Sequence, residues 1–164
     1  MIARIATVVL SLFCMLSSVA HAGPAIAPFE ADSLDKIVST HKGRAFVLLV
    51  WSLDCVFCKA SMAELARHQR KGQRLNLVTV ATDSVSDAAT RAQLADRLGT
   101  AGLTSINWAF GDAPAEQLRY VLDPKWHGEL PRSYWYNAKG KRTAYSGAIT
   151  AQVIAKLSVA SLGK

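Results

Sequence analysis

The chain has 164 residues, 51% of them hydrophobic and 19% charged, which fits one domain with a real packed core. Its net charge is +7, but the bases are scattered: Arg67, Arg70, Lys71 and Arg74 are the densest group, and Lys139, Lys141 and Arg142 share a turn. No aromatic-interleaved basic stripe is present, which excludes a nucleic-acid partner and leaves a solvated surface with a mild preference for acidic partner proteins.

Met1 to Ala22 has the three parts of a secretory signal: Arg4, an uncharged and largely apolar stretch from Ile5 to Ala20, and small residues at Ala20-His21-Ala22. Residues 1–22 are expected to be removed as a signal peptide, leaving one domain at 23–164 with no stable membrane anchor. The apolar run is short for a spanning helix, and Phe13 before Cys14 does not make a lipoprotein signal. Gly23 to Phe29 carries two prolines and reads as a linker or an edge segment. Asp32 or Ser33 caps a short helix that buries Leu34, Ile37 and Val38 and ends at His41-Lys42-Gly43. Ala45 to Trp51 is apolar, rich in β-favouring side chains and free of Gly and Pro, which predicts a buried strand. Cys58 to Lys71 is rich in helix formers, and Gly72 stops that helix.

Leu75 to Ala81 is a second strand, and Asp83 to Asp87 a polar turn. Ser86 or Asp87 caps a helix with Ala88, Ala92, Ala95 and Leu98 on its core face, closed by Gly99 and Gly102. A short strand is expected around Ile106–Phe110, and Asp112 caps a helix with Pro114 in its first turn. Leu130 to Tyr136 is a third strand signal, followed by a turn at Asn137–Gly140 and a returning strand at Arg142–Ser146. Thr150 to Leu162 is a terminal helix with Val153, Ile154, Leu157 and Ala160 inward. Strands separated by helices imply an α/β fold with a mainly parallel sheet, to which the last hairpin adds an antiparallel edge.

Cys55 and Cys58 thus fall where a strand ends and a helix begins. The first helical turn has unpaired N–H groups and the positive end of the dipole, which favour a thiolate, and the thiolate is the nucleophile. Cysteines three apart can close a small disulfide: one attacks a partner disulfide and the other releases the mixed intermediate. A lone C-x-x-C also fits half a zinc site or a structural bridge, but no second C-x-x-C or H-x₃₋₅-H completes a zinc set. With Cys14 in the leader, the mature chain keeps two cysteines, both in this motif, in an oxidising compartment.

Three features make the sequence resemble the thioredoxin superfamily, in particular secreted TlpA-type thiol–disulfide reductases. They are Trp51-x-x-x-Cys55-x-x-Cys58-Lys59, then Met62-x-Glu64-Leu65, then Gly128-Glu129-Leu130-Pro131 leading into Ser133–Asn137 and Lys139-Gly140-Lys141. The resemblance runs from about Phe29 to the end of the chain. It implies a three-layer sandwich: a mixed central sheet, helices on both faces, and a C-terminal β-hairpin and helix. It also implies roles. Cys55 attacks and Cys58 resolves; Pro131 is cis and faces the disulfide, so that Leu130 presents its backbone to an extended substrate; Trp51 packs under the motif and belongs with the substrate-binding residues.

Departures from the family are informative. Leu49 stands where thioredoxin proper has a buried acid, so protons come from water or another acid, Asp54 and Glu64 being candidates. Ala63 replaces a proline typical of the branch, and Val56-Phe57 is an unusually apolar dipeptide between the cysteines. The leading reading is a periplasmic oxidoreductase that reduces disulfides of specific exported proteins, with client cysteine pairs and a membrane electron donor as partners and no resident cofactor or metal. The competing reading is a copper-binding module using Cys55, Cys58 and His127.

Overall fold

Every residue of the strand Phe46–Trp51 is buried, as its unbroken apolar sequence predicts. Val47, Leu49 and Trp51 point into one core, and Phe46, Leu48 and Val50 into another. This alternation makes the strand the centre of a sheet covered on both sides. The computed structural model describes residues 24–70, 75–103 and 107–162. Expectations placed on the leader, on Lys71, Gly72 and Arg74, on Ile106 and on the side chain of Ala160 lie outside the described residues.

In chain order the elements are β1 (Ile26–Phe29), α1 (Ser33–Thr40), β2 (Phe46–Trp51), α2 (Val56–Arg70), β3 (Asn76–Ser84), α3 (Ala88–Ala101), β4 (Asn107–Phe110), α4 (Ala115–Leu122), β5 (Arg132–Tyr136), β6 (Arg142–Ser146) and α5 (Ala151–Leu162). The sheet order is β1-β4-β3-β2-β5-β6. The first four of these run parallel, and β5 and β6 are antiparallel to their neighbours. Residues of α2, α3 and α5 fill one core; α1 and α4 fill the other. This is the expected three-layer α/β sandwich with a mixed sheet and a C-terminal hairpin and helix. No helix among the described residues is long and apolar enough to cross a membrane.

Several local expectations are corrected. Of the two readings of the segment ending at Phe29, linker or edge, the edge holds: Ile26–Phe29 is strand β1 at the sheet margin, with Pro28 opposite Ala109. The missing N–H of proline is tolerated there because an edge strand has one side unpaired. Asp32 precedes α1, but its side chain makes no cap; it pairs with Lys36 instead. The face that α3 buries is Leu94 and Leu98, while Ala88 and Ala92 are exposed. Its cap is as expected: Asp87 accepts the Thr90 N–H, and Gly102, at φ 75°, closes the helix in the left-handed conformation that glycine tolerates. Asp112 does not cap α4, whose N-cap is Pro114; Asp112 accepts the Ser86 hydroxyl. Asp83 and Ser84 belong to β3, which runs three residues beyond the expected end.

Candidate active site

β2 ends at Trp51, the chain turns through Ser52–Cys55, and α2 begins at Val56, two residues before the expected start at Cys58. Cys55 is therefore the residue before the helix, and Cys58 sits in the first turn. The Cys58 N–H, at the start of the helix, is shared between the Cys55 carbonyl and the Cys55 sulfur, each at 3.1 Å. The two sulfurs are bonded at 2.00 Å with their Cα atoms 5.2 Å apart. Their environments differ sharply. Cys58 is 0% exposed, whereas Cys55 is only half-buried. Between them Val56 and Phe57 are 80% and 65% exposed, so an apolar rim borders the sulfur that faces solvent.

Trp51 and Leu49 lie in the same core cluster as Cys58. Trp51 is 1% exposed, so its ring supports the motif from beneath and has no surface to offer a client. Leu49 is 0% exposed and supplies no proton at the place where thioredoxin proper has an acid.

The Leu130–Pro131 bond is cis, as the resemblance implies. Val50 pairs with Arg132, so Pro131 comes next along β5, beside the end of β2 that leads to the cysteines. Leu130 is half-buried and packs against the cluster that holds both cysteines. The loop is tied down on each side. The Gly147 N–H donates to the Pro131 carbonyl at 3.0 Å. Two residues on, the Ile149 N–H donates at 2.9 Å to Ser61 Oγ, which itself donates to the Phe57 carbonyl at 2.8 Å. Ser61 is 0% exposed, so a single buried hydroxyl joins the cysteine helix to the chain that braces Pro131. Nothing in the sequence pattern singled it out.

On the other flank the anchoring is ionic. Asp123, 7% exposed, meets Arg132 at 2.9 Å and Arg142 at 3.6 Å. Burial pushes its carboxyl up, but the Lys125 N–H and the two guanidiniums outweigh this and hold it below the usual carboxylate range. Arg132 also reaches Glu129 at 3.2 Å, one residue before Leu130.

Of the two acids expected near the sulfurs, Asp54 is exposed and Glu64 is paired with Arg67 at 3.1 Å. The structure adds a third, Asp83. Its carboxylate accepts the Leu53 N–H at 3.0 Å and so holds the turn that carries Cys55. Burial pushes this carboxyl up; the Leu53 bond pulls it down, the Asp54 charge adds to the rise, and Arg97 opposes it. Its signal was the period-two pattern: Leu77, Thr79, Ala81 and Asp83 share one face if β3 is allowed to continue.

His127 is exposed. Among the described residues no group of three or more His, Cys, Asp or Glu side chains gathers where it could hold a metal ion, so Cys55, Cys58 and His127 do not form a ready-made copper site.

Scanned against protein-family models and against curated proteins, the sequence matches none. Solved structures do match. A secreted Mycobacterium tuberculosis disulfide oxidoreductase homologous to E. coli DsbE superposes with a TM-score of 0.57 at 19% identity, over 74% of this chain and 85% of that one. A thiol:disulfide interchange protein of the thioredoxin family from Chlorobium tepidum gives 0.58 at 17%, over 88% of this chain and 100% of that one. StoA from Bacillus subtilis gives 0.52 at 21%, over 71% and 84%. The fold is thioredoxin-like.

Proposed function

We propose that this thioredoxin-like chain is a periplasmic thiol–disulfide oxidoreductase that reduces disulfides in specific exported proteins. One observation carries the reading: Cys55 is reachable and Cys58 is buried, and the two are bonded at the start of α2 beside a cis-proline. The cycle follows from that asymmetry. In the reduced pair the Cys55 thiolate attacks one sulfur of a client disulfide; that bond breaks, and one client thiolate leaves and takes a proton. The Cys58 thiolate then attacks the Cys55 sulfur and releases the second client thiol. Two electrons have passed to the client, and the pair is left as the disulfide seen here. A dithiol donor, expected at the membrane, must reverse the last bond for each new turn. Val56 and Phe57 give apolar contact beside the reacting sulfur, and the Leu130 backbone gives an extended client its hydrogen bonds.

The test is a trapping experiment on secreted material. Cys58→Ser is expected to accumulate mixed disulfides between Cys55 and a small set of exported proteins, and Cys55→Ser to accumulate none. A redox titration of the unmodified pair against glutathione fixes the direction of electron flow; a potential too oxidising to reduce client disulfides overturns the reductase reading. Absence of adducts in the Cys58→Ser strain overturns the client role.

A further inference from the structure

The parallel strands place all their outgoing connections at one end of the sheet, with the disulfide. Those connections carry Glu30, Asp32, Asp54, Asp87 and Asp112. At the opposite end the described connections are 41–45 and 137–141, and they carry Lys42, Arg44, Lys139 and Lys141 without a carboxylate. Arg70, at the last turn of α2, adds a fifth exposed base there; it and Arg44 bond backbone carbonyls, and none of the five has an acidic partner among the described residues. Bases that are scattered in sequence are thus gathered by the topology. A cavity of about 530 Å³ opens between the two connections, bordered by Lys42, Arg44 and Lys139 over Val38 and Phe46, with Asp35 as its one carboxylate. The chain also enters the fold here: Ala25 and Ile26 pair with Asn107 at the start of β4, and the apolar run Ile5–Ala20 immediately precedes this entry in sequence.

We propose that this end docks on an anionic phospholipid surface, with headgroup phosphates on the five bases and one seated at the cavity mouth. The charge fits: clusters of four to eight Lys and Arg recognise anionic leaflets, each contributing about fivefold in partitioning. Val56 and Phe57, the exposed apolar pair that a protein partner would grip, lie at the disulfide end, and Tyr120 and Val159 stand singly on α4 and α5. Docked this way, the disulfide faces away from the bilayer, at a height of about 20 Å set by the six residues of β2.

The experiment measures sedimentation of the protein, as recovered from its cell, with vesicles of zwitterionic lipid alone or with a third anionic phospholipid. Binding is expected only or mainly to the anionic vesicles and is expected to fade at high salt. Lys139→Glu with Lys141→Glu should weaken it at least about 25-fold while thiol exchange with a soluble dithiol stays unchanged. Lys125→Glu, the same charge change on the connection leading to Leu130, should weaken it far less. Equal binding to zwitterionic vesicles, an equal loss in the Lys125 variant, or equally tight salt-sensitive binding to polyglutamate or a DNA oligonucleotide overturns the proposal. Unchanged thiol exchange in the weakened variant separates this result from any failure of the redox reading.

Discussion

The two flanks of the Leu130–Pro131 loop are held by different chemistry. Toward the cysteines no ion pair is used among the described residues: the Ser61 hydroxyl and backbone N–H groups hold the loop, and Asp83, whose burial opposes its charge, holds the neighbouring Ser52–Cys55 turn through the Leu53 N–H. Away from them the tie is ionic, with Asp123 between Arg132 and Arg142 and its charge favoured. The difference teaches where charge is tolerated. A strong ion pair beside a reacting sulfur would compete with the dipole that stabilises a thiolate, whereas the outer flank needs only rigidity.

Breaking the sulfur flank has the largest expected effect: Cys55→Ser abolishes turnover altogether in a coupled disulfide-reduction assay, with the fold intact by circular dichroism. Breaking the ionic flank comes next. Asp123→Ala takes a carboxylate from half-buried Arg132, which keeps Glu129, and from Arg142, and should lower stability by about 2–3 kcal/mol in urea unfolding. Removing the neutral tie is milder: Ser61→Ala strands the Ile149 N–H in the core and should cost about 1–3 kcal/mol by the same measure.

pH sharpens the contrast, because the two acids have opposite signs. Asp123 is depressed in the folded state, so its contribution is present above the unfolded value of about 3.9 and is lost as pH falls through the folded value. Asp83 is raised, so the folded state binds the extra proton, and stability declines as pH climbs from about 3.9 through its folded value. Asp83→Asn keeps an oxygen for the Leu53 N–H and removes the charge. It should give a small gain in thermal stability at neutral pH that vanishes below pH 4, the smallest of these effects.

The sheet's centre, the motif and the last hairpin were legible because each is written locally: an apolar run, a three-residue spacing, an Asn137-to-Gly140 turn. The cis bond at Pro131 was legible only through resemblance, since composition favours trans. Strand β1 was obscured by the two prolines around it, and Asp83 by a turn-like composition that the sheet overrides. Ser61, the pairing of Asp123 with Arg132 and Arg142, and the gathering of Lys42 with Lys139 join residues distant in sequence; their meeting is a product of topology, which no local window contains.

Pro28 has a consequence for how the molecule behaves in a crowd. Its ring sits in the outermost strand, and because β1 keeps its ladder with β4, the missing donor falls on the open margin. A neighbouring copy seeking to continue the sheet at this margin meets a gap in the row of N–H groups and forms one hydrogen bond fewer.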